Sequence, residues 1–311
     1  MKKEDLIKCH HRITPYIHRT PVLTSRLLNK MAGAELFFKC ENFQRMGAYK
    51  MRGATNAILQ LTEEQKGMGV VTHSSGNFAQ ALSLAAKSLG VKAYIVMPSS
   101  APQVKKNAVE EYGGNIVICE PTLQARQAAA NKIEDEMGAT FIHPSNDLQV
   151  IAGQGTTCME LLGEQPDLDF VVAPIGGGGL IAGTALAANY FGMDCKVIGA
   201  EPFEVDDAYR SMKSGKIELN KTTNTIADGL KTQLGDKNFP LILEYVNSII
   251  RVTEDEIINA MQLVWERMKI IIEPSSAVAF AAVLREKEKF KGKKAGIIIS
   301  GGNVDLKNLP F

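Results

Sequence analysis

The chain has 311 residues, 45% apolar and 22% charged, enough to bury one large core or two. Its 35 basic and 34 acidic residues are well mixed and leave a net charge of +1, so no basic stripe marks a nucleic-acid face. The five cysteines, Cys9, Cys40, Cys119, Cys158 and Cys195, are odd in number and far apart. This argues against a disulfide framework or a zinc site and for small buried apolar residues.

The opening Met1-Lys2-Lys3-Glu4-Asp5 leads into no apolar core, and no run is long enough to span a bilayer. The expected setting is the reducing cytosol, with no membrane partner. Residues 4–16 have the spacing of an amphipathic helix ending near Pro15. Thr20-Pro21 is a turn, because the residue before proline avoids the helical region. Thr24–Met31 is helical in spacing and Leu36–Cys40 is a short strand. The stretch Glu41–Ala54 then opens a helix that runs through Leu61. From Gly69 the pattern alternates: strand Val70–Thr72, helix Phe78–Leu89, strand Ala93–Met97, helix Lys105–Tyr112, strand Asn115–Cys119, helix Leu123–Met137, strand Thr140–His143. Alternation of this length predicts crossover units and a parallel sheet.

Helix Ala152–Leu162 follows, then the buried strand Phe170–Ile175, four glycines at Gly176–Gly179 and a small-residue helix to Tyr190. Lys196–Ala200 is a strand. Residues 201–235 have turn chemistry and little periodicity. Helix Glu254–Met268, an alanine-rich helix from Pro274 to Leu284 and strand Ala295–Ile299 close the chain before Ser300-Gly301-Gly302. The predicted class is α/β. A small α/β domain of residues 69–147 is inserted into a larger one built from 1–68 and 148–311.

The strand–tetraglycine–helix junction is the strongest physical signal. A helix N-terminus offers unpaired N–H groups at the positive end of its dipole, and glycines let them close on an anion. The expected ligand is a phosphate, with a tightly packed turn as the alternative. No acidic residue follows at dinucleotide-fold spacing, and no Gly-Lys-Ser/Thr makes a nucleotide loop. A lysine beside a lone phosphate site suggests a phosphate-bearing aldehyde, and pyridoxal phosphate fits. Lys50 follows the small residues Gly47 and Ala48, but composition alone does not distinguish it from a solvated lysine at a helix start.

Several stretches, in order, carry a resemblance: Phe37–Glu41, Gly47–Ala54, His73–Asn77, Val150–Thr156, Gly176–Gly179, Thr225–Gly229, Glu273-Pro274 and Ser300–Asp305. Together they resemble the tryptophan-synthase-β-like pyridoxal-phosphate enzymes of fold type II, and within them the serine racemases and serine/threonine dehydratases. The resemblance implies two open, mostly parallel sheets, with the small domain mobile over the site, and a homodimer. It implies that Lys50 holds the cofactor, with Tyr49 against the ring and Asn77 at its ring oxygen. Gly176, Gly177, Gly178, Gly179 and Leu180 would cradle the phosphate, and Ser300 would face the pyridine nitrogen. Ser74, Ser75, Gly76 and Asn77 would bind the carboxylate of a hydroxy amino acid, and Arg126 and Thr232 its distal end. Lys50 and Ser75 would be the two bases, one on each face, although a serine there also suits a helix cap.

The implied activity is serine racemisation with elimination of serine to pyruvate and ammonia. Alternatives are a threo-3-hydroxyaspartate or threonine dehydratase, an aspartate racemase, or a binding protein with reduced catalysis. A Mg²⁺ or Ca²⁺ would sit on Glu201, Asp207 and the carbonyl of Val205. ATP would contact Ser25, Arg45, Gln80, Lys105, Ala108 and Tyr112. Phe78 stands where a histidine is common in the family, Ala48 where a serine is, Tyr49 where a phenylalanine is and Met46 where a threonine is.

Overall fold

The computed structural model describes all 311 residues. Helix α1 (Lys3–Ile13) runs into a 3-10 turn at Thr14–Tyr16. Strand β1 (Val22–Leu23), α2 (Arg26–Ala32) and β2 (Glu35–Cys40) follow. Two further 3-10 turns, Glu41–Phe43 and Arg45–Gly47, lead into α3 (Lys50–Leu59) and α4 (Glu63–Met68). Next alternate β3 (Val70–His73), α5 (Asn77–Ser88), β4 (Ala93–Pro98), α6 (Gln103–Glu111), β5 (Asn115–Cys119), α7 (Leu123–Met137) and β6 (Thr140–Phe141). The chain continues through α8 (Leu148–Glu164), β7 (Phe170–Pro174), α9 (Gly179–Phe191), β8 (Lys196–Pro202), α10 (Asp207–Ser214) and α11 (Phe239–Tyr245). It closes with β9 (Ser248–Val252), α12 (Glu254–Met268), α13 (Pro274–Arg285), α14 (Lys287–Phe290) and β10 (Lys294–Ile299).

The strands form two sheets. The larger has the order β1-β2-β10-β7-β8-β9, parallel except for β1 against β2. The smaller, β5-β4-β3-β6, is wholly parallel. Helices cover both faces of the larger sheet, as a parallel sheet requires. Along β10, Ile297 and Ile299 join a core with Phe38, Val172 and Phe280 under α12 and α13, while Ile298 joins Val171, Leu161 and Ile181 under α8 and α9. This alternation is the period-2 register of a strand buried on both sides.

Helix α3 belongs to both halves. Met51, Ala54 and Ile58 pack with Phe78, Leu82 and Ile95 of the smaller unit. Its other side crosses α8 so closely that a Cβ on Gly153 would overlap the backbone of Arg52 and Gly53. Parallel sheets place ligands beyond the C-terminal ends of their strands. The segments leaving β2, β3, β7 and β10 carry Lys50, the Ser74–Asn77 turn, the glycines and Ser300 respectively.

Several elements were not expected. Strands β1 and β9 and helices α4, α10, α11 and α14 are too short to show a period, and β6 stops at Phe141 instead of His143. All five cysteines are free; Cys9, Cys40 and Cys158 are buried, while Cys119 and Cys195 are only partly so. No helix is long and apolar enough to cross a membrane.

Candidate active site

Lys50 is the first residue of α3, and its loop is stitched to the end of β10. Tyr49 donates its N–H to Ser300 O at 3.0 Å, Gly302 N–H to Gly47 O at 2.9 Å, and Ala48 bridges Gly301. Met46 is held at φ 55, a left-handed conformation costly for a side chain, and strain of this kind gathers at functional sites. Burial lowers the Lys50 pKa, while Glu273 and Asp228 oppose it. The result is an amine closer to its neutral, nucleophilic form than a solvated lysine.

The tetraglycine enters α9 with Gly178 at φ 82, and no side chain caps that helix. A Cβ on Gly177 would overlap the Ser145 hydroxyl, and one on Gly179 would press on the Ser145 backbone. Asn238 locks the loop by donating its amide to Gly177 O at 2.8 Å and Ser145 O at 3.1 Å. Thr232 lies against the same glycines, its Oγ1 in contact range of a Cβ on Gly176 or Gly177, and Leu180 is buried in the first turn of α9. The free N–H groups of that turn suit a phosphate dianion.

Ser300 is 3% exposed, with its Oγ 3.0 Å from the Ser276 Oγ. Ser276 in turn donates to Gly301 O at 2.6 Å and accepts from Gly301 N–H at 2.7 Å, so the hydroxyl pair is rigid. In the turn after β3, Ser74 Oγ accepts weakly from Gly76 N–H at 3.4 Å, and Ser75 makes no side-chain hydrogen bond. Gly76 is the N-cap residue of α5 and no side chain caps the helix, so neither serine serves as a cap. A Cβ on Gly76 would meet only open space, which leaves the turn accessible.

Asn77 is not free. Its amide donates to both carboxyl oxygens of Glu273, at 2.9 and 3.1 Å, and its Oδ1 accepts from Asn303 at 3.0 Å. Behind the turn, His73 meets Gln127 at 3.2 Å, and burial followed by the Arg126 guanidinium lowers its pKa. Arg126 itself bonds back to Thr122 O of its own helix. His143 accepts from Ser145 and Asn146 N–H groups at Nδ1, which leaves its proton on Nε2. Burial, then His73, Lys237 and Lys50, push it down to about 4.

The acidic segment after β8 buries a separate pair of carboxyl groups, Glu201 and Asp207. Glu201 accepts from Ala208 and Tyr209 N–H groups at 3.1 and 2.8 Å. Asp207 accepts from Leu234 N–H at 3.1 Å, while its buried Oδ1 has no partner. Burial and Asp207 raise Glu201 well above the usual range, and burial brings Asp207 up to about 6. Two buried carboxylates and an unpartnered oxygen fit a hard cation, with the buried Val205 between them in sequence.

The six nucleotide candidates are dispersed by role. Gln80, Lys105 and Ala108 lie on the packed pair α5 and α6 and Tyr112 follows as the C-cap residue of α6, with Lys105 reaching Asp228 at 2.5 Å. Arg45 bonds Tyr16 and Ser88, and Ser25 caps α2. Ser145, Asn238, Glu273, Ser276 and Asn303 were not expected. Their partners lie far away in sequence; Glu273 and Asn303 stood in stretches that carry the resemblance, without a role, and Ser276 in the Pro274-Ser275-Ser276 helix opening.

An amine of lowered pKa, an uncapped helix end and a fixed hydroxyl pair are the donor set that pyridoxal phosphate requires. Residues 13–301 match the model of the family described as pyridoxal-phosphate dependent enzyme. A serine racemase of Dictyostelium discoideum is 52% identical over 98% of this chain and 96% of its own length. A beta-hydroxyaspartate dehydratase of Paracoccus denitrificans is 49% identical over 99% and 98%. The structure of maize serine racemase superposes with a TM-score of 0.96 at 44% identity, covering 98% of this chain and 94% of that one. The chain thus belongs to the pyridoxal-phosphate dependent enzymes, in the branch of the serine racemases and serine/threonine dehydratases.

Proposed function

We propose that the protein racemises serine and also eliminates its hydroxyl group, giving pyruvate and ammonia. The observation that carries this reading is Ser75, a hydroxyl with no structural duty in the turn that enters α5. Bound pyridoxal phosphate supplies an electron sink that acidifies the α-hydrogen of an attached amino acid. The α9 N-terminus would hold the phosphate, Lys50 would anchor the group, and the Ser276–Ser300 pair would lie at its ring nitrogen. The turn Ser74–Asn77 orients the substrate carboxylate at the start of α5. Lys50 takes the α-proton from one face, and Ser75 returns one from the other to give the enantiomer. Loss of the hydroxyl in place of that return leads to the keto acid.

Holoprotein should show a visible absorbance band that is lost in Lys50→Ala. Ser75→Ala should abolish racemisation and spare much of the elimination. Absence of the band, or equal loss of both reactions, would refute the assignment.

A second reading has its own support. The Arg126 guanidinium acts electrostatically on His73 behind the Ser74–Asn77 turn, and a cation there would favour a second carboxylate, as in threo-3-hydroxyaspartate. Assaying oxaloacetate against pyruvate across hydroxy amino acids separates the two. Around this core, a Mg²⁺ or Ca²⁺ on Glu201, Val205 and Asp207 would be structural or activating. The α5–α6 face is the place for an activating ATP, which would have to draw Lys105 away from Asp228. The segment 69–147 would close over the site, and the working unit would be a cytosolic homodimer.

A further inference from the structure

The Asn77 amide is held at both ends. Asn303 Nδ2 donates to Met46 O at 2.9 Å as well as to Asn77 Oδ1, so the Asn77 oxygen must face Asn303 and its nitrogen must face Glu273. Glu273 is 3% exposed and sits at the N-cap of α13 without capping it. No other donor reaches its carboxyl group, whose two oxygens both accept from Asn77. Double acceptance is the behaviour of a carboxylate; an oxygen that carries a proton becomes a donor. The charges facing Glu273 are Lys50 on α3 and Lys105 on α6, which favour the carboxylate, and Asp228, which opposes it. Burial and then Asp228 dominate and push it up to about 7.

We propose that Glu273 is a proton-linked positioning residue: as a carboxylate it claims the Asn77 amide, and on protonation it releases an N–H to the molecule bound at the Ser74–Asn77 turn. The proposal rests on the reading of that turn as part of a pyridoxal-phosphate site. Asn77 starts α5 and Glu273 starts α13, so the same proton also loosens a tie between the two sheets.

The test titrates the affinity of the cofactor-free chain for pyridoxal 5'-phosphate, and the visible spectrum of the holoenzyme, from about pH 5.5 to about pH 8.5. Wild type, Glu273→Gln and Glu273→Asp are compared. Wild type should bind several-fold more tightly below neutrality than above it, with an inflection near the Glu273 value. Glu273→Gln should lose that inflection and keep only the limb of opposite sign that Lys50 sets, and Glu273→Asp should restore it. The same pH dependence in wild type and Glu273→Gln overturns the proposal. A wild type without any inflection overturns it even where neither variant folds. Wild type that binds no cofactor at any pH takes down the underlying reading as well.

Discussion

The Lys50 ammonium nitrogen lies 6.0 Å from the centroid of the Phe78 ring and 6.0 Å from that of Tyr49. Phe78 is fully buried at the start of α5. An aromatic face at this range favours the charged amine by about 0.5–1 kcal/mol, against the burial that disfavours it. Phe78→Leu should therefore lower the Lys50 pKa by about half a unit, since about 1.4 kcal/mol corresponds to one unit. The pH dependence of cofactor capture by the cofactor-free chain measures this. A limb that stays in place or moves upward would show that the ring is only a wall.

The buried carboxyl groups of Glu201 and Asp207 have a pH signature of fixed sign. Glu201 and Asp207 have folded-state values raised by burial, Asp207 to about 6. A raised carboxyl group stabilises the fold below its unfolded value, and that contribution is lost as pH rises through the folded value. For Asp207 alone, about two units amount to roughly 3 kcal/mol, or several degrees in Tm. Without divalent cations Tm should fall from pH 4 towards pH 7 and beyond, and Mg²⁺ should raise it more at pH 8 than at pH 5. An equal gain at both values would rule out these carboxylates as ligands.

Lys105 on α6 and Asp228 beside the glycine loop meet with side chains 30% and 46% exposed. A pair so open to solvent contributes only about 0–1 kcal/mol to stability. It joins the smaller unit to the segment whose Gly229 carbonyl packs against Gly176. Lys105→Ala should leave Tm within a degree or two, yet raise KM and weaken its dependence on salt. Unchanged KM with a lowered Tm would make the pair a structural tie instead.

Two residues beyond Lys50, Arg52 forms forked bonds at 2.8 Å with both Glu41 and Glu160, and Lys39 reaches Glu160 at 2.7 Å, all fully buried or nearly so. Although burial opposes it, His10, Arg52 and Lys39 hold Glu160 well below the usual carboxylate range. Glu160→Gln leaves two buried cations with one carboxylate and should cost about 3–5 kcal/mol in urea or thermal unfolding. Arg52→Lys should also destabilise, because an ammonium cannot replace the fork. A loss below about 1 kcal/mol for Glu160→Gln would mean that water already screens the cluster.

The four glycines were legible because they sit in a local strand–glycine–helix pattern whose chemistry is carried by neighbours in sequence, whereas Lys50, Ser75 and Ser300 were named only through the resemblance to the family. Glu273 was quoted only as part of a motif, since its role comes from Asn77, 196 positions away. Ser276 and Asn238 act through partners 24 and 61 positions away, a separation no window spans. The Arg52 cluster was invisible for the same reason. A charged residue in a helix reads as solvated until the fold brings carboxylates to it. Helix α10 was missed because its eight residues begin inside an acidic turn whose composition reads as loop.

The order of the larger sheet also says something about how the molecule is made. Strand β10 lies between β2 and β7 and pairs with both, Ile299 with Cys40 and Ile297 with Val172. During synthesis, the β1–β2 pair therefore has no third strand beside it until β10 is made. The insertion closes a loop of most of the chain, a slow step that exposes apolar edges while it waits. A protein shortened just before β10 would not be an enzyme lacking one serine. It would be two half-sheets, unable to join and prone to aggregate.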